Sequence, residues 1–220
     1  MRPGFIAAAL VMVGASAAAA GISTTEVKRV GDAARVLEQM RSVPDRSIPQ
    51  DTWRRARCVA VIPGAKKGAL VVGGEYGEGF VSCRTPNGWS APAYLALHEG
   101  SLGAQIGVES VDLVMLVMNQ RGVDHLLRDH VTLGADASIA AGPVGRDATR
   151  ATDAQLKAEI LSYSRAKGLF AGVDLTGGVL RPDARADRDL YGRTITAREI
   201  LTGGRVAAPS ATQPFVAALK

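Results

Sequence analysis

Between residues 23 and 40, apolar side chains return every three or four positions: Val27, Val30, Ala34, Leu37 and Met40. That period predicts an amphipathic helix with one apolar stripe. Its start carries Ser23-Thr24-Thr25-Glu26, which fits a capping box: the serine hydroxyl and the glutamate each satisfy a backbone donor that the first turn leaves open. Lys28, Arg29, Arg35 and Arg41 fall largely off the stripe, and Pro44 ends the pattern. A second, short helix is expected from Pro49, a residue suited to a first helical turn, and it carries Trp53, Arg54 and Arg55.

From Arg57 the texture changes to short apolar runs broken by glycine and proline. Strands are predicted at 58–62, 69–73, 79–84, 93–97, 102–108 and 111–118, with a glycine-rich turn at 73–79 and another at Pro86-Asn87-Gly88. Residues 119–129 look helical, with Val123, Leu126 and Leu127 facing inward. The second half repeats the theme: 131–140 extended, strands at 159–164, 169–174 and 178–181, then short helices at 185–191 and 196–201. Beyond Gly203 the chain turns small and polar with two prolines, which predicts a loose tail. The expected class is α+β: a predominantly antiparallel sheet or small barrel of short strands, an N-terminal amphipathic helix and short C-terminal helices. The expected organisation is an export signal over 1–20, the helix and a linker over 21–47, the main domain over 48–203 and a flexible tail over 204–220.

Composition narrows the setting. Of the 220 residues, 47% are hydrophobic and 21% charged, the mix of an ordinary globular domain able to build a core. The first twenty residues read differently. Arg2 precedes an apolar run over 5–13, and Ala18-Ala19-Ala20 offers a cleavage site before Gly21, the pattern of a secretory signal peptide. The run is short for a retained membrane anchor, which needs about 20 apolar residues. A periplasmic or secreted protein is therefore expected. In an oxidising compartment the two cysteines, Cys58 and Cys83, invite a disulfide, the alternative being two buried free thiols. They are too few for a zinc site without clustered histidines.

No catalytic constellation emerges. His98, His125 and His130 form no metal-ligand spacing, and His125 and His130 read as solvated residues around a helix end. The glycines around Tyr76 lack the Gly-Lys-Ser/Thr ending of a phosphate loop. Gly100-Ser101-Leu102-Gly103 has the wrong spacing for a nucleophile elbow, and Asp136 has no evident partner base. The expectation is a protein that is not an enzyme and needs neither cofactor nor metal. Charge is more informative. Residues 24–67 hold ten basic and five acidic side chains, so the positive excess of a +5 chain sits in its N-terminal part. A helix of this kind can lie on an anionic membrane, or pack its stripe on the sheet and leave its charges in water. Nucleic acid is not expected, since the charge is modest and aromatics are 5%.

Four motifs then acquire joint meaning: Gly88-Trp89-Ser90-Ala91-Pro92, Leu133-Gly134-Ala135-Asp136-Ala137-Ser138, Ala141-Gly142-Pro143-Val144-Gly145-Arg146, and the run from Tyr163-Ser164-Arg165 through Gly168-Leu169-Phe170-Ala171-Gly172. With Val59-Ala60-Val61-Ile62-Pro63 and the Gly73-Gly74 turn, they resemble the SYLF domain, also known as the actin-binding domain of a eukaryotic endocytic family, over roughly residues 48–191. The resemblance implies an exported bacterial member of a lipid-binding family whose eukaryotic relatives use a basic amphipathic N-terminal helix. On that reading Lys28, Arg29, Arg35, Arg54, Arg55, Lys66 and Lys67 supply charge to an anionic phospholipid surface, and Trp53 anchors at the interface. Actin is not expected as a partner in this compartment. The alternative is a structural or partner-binding module of the cell envelope with no lipid affinity. The motif glycines are expected to serve turns and tight packing.

Overall fold

The computed structural model describes residues 22–42, 48–67, 75–98, 109–145, 153–166 and 169–220. The expected signal peptide and the strand candidates at 69–73 and 102–108 lie outside them.

The first predicted helix forms as α1, Thr24–Ser42. Its capping box is present: Ser23 N donates to Glu26 Oε2 at 2.8 Å and Glu26 N to Ser23 Oγ at 3.2 Å. Partial burial pushes the Glu26 pKa up, but the contacts with Ser23, together with Tyr94 and the Arg29 charge, hold the carboxyl below its ordinary value. Next comes α2, Gln50–Arg55, which starts behind Pro49 as expected. It leads into β1, Cys58–Lys67, then β2, Glu75–Thr85, the short β3, Gly88–Trp89, β4, Ala93–His98, and β5, Glu109–Val117. Helix α3, Gln120–Leu126, follows, its first turn capped by Asn119. The remaining strands are β6, Val131–Thr132, β7, Ile139–Ala141, β8, Ile160–Ala166, β9, Leu169–Gly172, and β10, Val179–Pro182. Helix α4, Asp153–Lys157, lies before β8; α5, Ala184–Tyr191, α6, Ala197–Thr202, and α7, Gln213–Ala218, close the chain.

The strands join one curled sheet in the order β6-β10-β4-β2-β1-β5-β8-β7, with β3 on β2 and β9 on β8. Among the described strand-to-strand pairings only β7–β8 is parallel, the isolated Leu133–Ala137 bridge aside. The α+β architecture with a mostly antiparallel sheet is the one expected. Strands β1 and β5 are apolar at nearly every position because both sheet faces are covered. Cys58, Ala60 and Ile62 enter one core cluster while Val59 and Val61 enter the other; Leu113, Met115 and Val117 alternate likewise with Val114 and Leu116. The first cluster lies beneath α3 and α6, and the second beneath α1 and α7.

Three expectations change at this level. The extended run over 131–140 is interrupted, because Asp136 Oδ2 accepts from Thr132 N at 2.7 Å and folds the Leu133–Ala137 segment back on itself. Helix α1 is not separate from the main domain: Val30, Ala33, Leu37 and Met40 are buried against Val59, Val61 and Phe80 of the sheet. The segment over 204–220 is not a loose tail. A 3-10 turn at Ser210–Thr212 runs into α7, whose Phe215 is fully buried with Leu219 beside α1. Phe215, Val216 and Leu219 supply an apolar stripe too short to register as a helix against its Ala- and Pro-rich surroundings.

The motif glycines prove to be packing positions. A Cβ on Gly142 would stand 2.0 Å from the Tyr163 ring, and one on Gly172 would stand 2.4 Å from the Gly142 carbonyl oxygen. The Gly142 backbone lies between the Tyr163 ring on one side and the Gly172 backbone on the other, an approach that only glycine permits.

Candidate functional site

The eight residues expected to hold lipid do not form one patch. Arg29 is drawn inward by an ion pair with Glu78 of β2 at 2.5 Å, and Lys28 and Arg35 both bind Asp32 on α1 itself, at 2.7 and 2.9 Å. Lys66 and Lys67 lie at the far end of β1 from α2, roughly 30 Å away at strand rise. Glu78, and with it Arg29, is six residues along β2 from Arg84, roughly 20 Å. The arrangement that does bring expected residues together is the end of the sheet where α2 enters β1.

There Trp53 packs against Trp89 with ring centroids 6.3 Å apart. The Arg84 guanidinium lies over the Trp89 ring, 4.3 Å from its centroid. The same guanidinium donates from Nε to the Ala56 carbonyl at 3.0 Å and from Nη2 to the Trp53 carbonyl at 3.3 Å, tying the end of α2 to β2. Arg54 and Arg55 are exposed on α2, Arg54 ion-paired with Asp51 and Arg55 donating to the Asp51 carbonyl. Arg57, also exposed, precedes β1.

Register explains why these side chains meet. Cys58 pairs with Cys83, and the structure joins them in a disulfide, as the cysteine count invites. Arg84 N donates to Arg57 O at 2.7 Å, so Arg57 stands opposite Arg84; across the Pro86-Asn87 turn Arg84 pairs in turn with Trp89. Arg57, Arg84 and Trp89 therefore form one row across three strands on one face. The base of the row is rigid. Ser82 Oγ donates to the Ser90 carbonyl at 2.8 Å and Cys83 N to Ser90 Oγ at 3.0 Å, both buried.

Arg57, Arg84 and Trp89 are absent from the residues expected from sequence. The signal that finds them is the disulfide joined with the Pro-Asn-Gly turn: the first sets Arg57 opposite Arg84, and a two-residue turn sets Arg84 opposite Trp89.

Elsewhere the polar groups are committed to structure. Asp112 Oδ1 accepts from Gly64 N at 2.9 Å and its Oδ2 from Arg165 Nε at 2.8 Å, which links β1, β5 and β8. His125 is not solvated. Its Nδ1 lies 3.0 Å from Oε2 of Glu159, and the two side chains are 13% and 7% exposed. A helix end packed on the start of β8 carries the histidine inward, where period and spacing alone left it in water. Among the described residues there is no group of three or more His, Cys, Asp or Glu placed to hold a metal ion, and no helix long and apolar enough to cross a membrane.

Comparison with known proteins gives consistent relatives. The model of the Ysc84 family, described as Las17-binding protein actin regulator, matches residues 98–220. The chain is 36% identical over 180 residues to LAS seventeen-binding protein 3 of Saccharomyces cerevisiae, covering 80% of this chain and 39% of that protein. It is 39% identical over 172 residues to an SH3 domain-containing protein of Schizosaccharomyces pombe, covering 76% and 40%. Against human SH3 domain-containing YSC84-like protein 1 it is 33% identical over 178 residues, covering 78% and 52%. The chain thus spans between about two fifths and one half of these relatives. The family description names Las17 binding and actin regulation, and the first of these relatives is named for binding LAS seventeen. A family match over more than half of the residues, supported by the ordered motifs and the tight glycine packing around Tyr163, places this chain in the Ysc84, or SYLF, family.

Proposed function

We propose that this chain is an exported envelope protein that binds an anionic phospholipid surface and catalyses no reaction there. The observation that carries the reading is the Trp53-Arg54-Arg55 segment: a tryptophan and two exposed arginines on a short helix at one end of the sheet. Each cation held near an anionic leaflet contributes about 1 kcal/mol, and a tryptophan beside it favours the interfacial zone. The leader-like residues 1–20 and the positive excess over 24–67 support the compartment and the sign of the ligand.

The test is co-sedimentation of the chain lacking residues 1–20 with liposomes of varied phosphatidylglycerol and cardiolipin content, at low and high salt. Binding is expected to rise with anionic lipid, weaken with salt, and drop on Arg54→Glu with Arg55→Glu. Salt-insensitive binding, or binding unchanged in that variant, removes these residues from the site.

A second reading, a protein-binding module without lipid affinity, is favoured by one observation. Apart from the exposed Val27, the apolar stripe of α1 is spent on the protein's own core, so the helix offers no continuous hydrophobic face to a bilayer. The family description also names binding to another protein, Las17. Failure to sediment with any liposome mixture selects this reading.

A further inference from the structure

Resting on the lipid reading, we infer that the bilayer meets the α2–β3 end of the sheet, with Trp53 and Trp89 entering the interfacial zone and Arg54, Arg55, Arg57 and Arg84 facing lipid phosphates, while α1 stays docked on the sheet.

Charge balance is the first ground. On α1, Lys28 and Arg35 share Asp32, and Arg29 has Glu78. At the α2–β3 end Asp51 partners Arg54. Among the described residues no carboxylate lies within ion-pair distance of Arg55, Arg57 or Arg84. Arg57 and Arg84 also stand directly opposite each other on one sheet face, a like-charge juxtaposition that costs stability unless an anion is shared between them. A row of lipid phosphates supplies that anion through charge-assisted hydrogen bonds to the guanidinium groups.

The second ground is the pair of rings. The chain has two tryptophans in all, and both stand here, half-buried, in contact, and held by Arg84. An aromatic ring with a polar edge is the side chain that partitions to the headgroup region. Helix α1 cannot do the same without withdrawing Val30, Leu37 and Met40 from the core. Strand pairing, with the Cys58–Cys83 disulfide in the next register position, holds Arg57, Arg84 and Trp89 in one row, so binding needs no refolding.

Because both tryptophans sit at this one place, intrinsic fluorescence reports on it alone. The experiment mixes the chain lacking residues 1–20 with vesicles of phosphatidylcholine and phosphatidylglycerol carrying bromine near the headgroup or deep in the acyl chain, with sedimentation read in parallel. The expected result is a blue-shifted emission, quenched more by shallow than by deep bromine. Arg57→Glu should weaken partitioning on the order of tenfold at low salt, more than Lys28→Glu with Arg35→Glu on α1. Sedimentation with neither emission shift nor quenching, or the reverse order of the variants, overturns the inference and leaves the lipid reading intact. Absence of sedimentation with every anionic vesicle overturns both.

Discussion

At the scale of single residues, the buried carboxylate of Asp187 is the most consequential group outside the proposed site. It sits on α5, has no solvent exposure, and its Oδ1 accepts the backbone N–H of Tyr94 at 2.8 Å while Oδ2 has no partner. Burial pushes its pKa up to about 7; the Tyr94 amide works against that, and the Asp183 charge reinforces it. In the unfolded chain the same carboxyl titrates near 4. The folded state therefore holds a proton that the unfolded state releases between about pH 4 and pH 7. Stability from this group is fully present below about 4 and is lost as pH rises through about 7, with a limiting slope of about 1.4 kcal/mol per pH unit. Asn keeps an acceptor for Tyr94 N without the charge. Urea unfolding midpoints measured from pH 5 to 8 should fall for the wild type and stay flatter for Asp187→Asn, the variant being the more stable at pH 8. Parallel slopes for the two proteins would show that Asp187 is not the group responsible.

At the scale of elements, the disulfide is the fastener between β1 and β2 at the end that carries the tryptophans. Cys58 and Cys83 are 25 residues apart in sequence, and a loop of that length gives roughly 3 kcal/mol in the chain-entropy account. Replacing both by alanine should lower chemical stability by up to about that amount, and a reductant should lower the wild type to the same level. A wild type insensitive to reductant in denaturant titrations would show the bond to be dispensable. The elements also show what the amino-acid order made legible. The α1 cap, the start of α2 behind Pro49, the apolar strands and the α5 and α6 helices each announce themselves within a short window of residues. What did not show there was partnership. Arg29 faces Glu78, His125 faces Glu159, and Arg57 faces Arg84 across separations of dozens of residues. Such pairs need register, which sequence spacing does not give. The candidate site was legible only in its contiguous part, Trp53 to Arg55, and its other half came from strand pairing.

At the scale of the whole molecule, the two ends of the described chain close the same face of the sheet. Helix α7, from the last eight residues, packs on α1, from the first described ones, and both cover Val61, Phe80 and Tyr94. Phe215 is the keystone: fully buried, with its ring centroid 5.7 Å from that of Phe80, which in turn lies 4.6 Å from Tyr94. Removing such a ring from a packed core costs about 3–5 kcal/mol, a large share of the 5–15 kcal/mol by which a domain is stable. The coupling has a direction. If α7 is lost, Val30, Leu37 and Met40 of α1 keep their sheet contacts but lose one wall, and α1 becomes the segment that peels away most easily. Phe215→Ala should therefore lower the unfolding midpoint and raise amide exchange selectively in α1, leaving β1 and β5 protected. Uniform acceleration across the sheet would mean that the face opens as one unit; an unchanged α1 would mean that α7 is a passive cover. The selective outcome would also supply a route by which α1, sealed in the folded protein, exposes its apolar stripe once its C-terminal partner is drawn off.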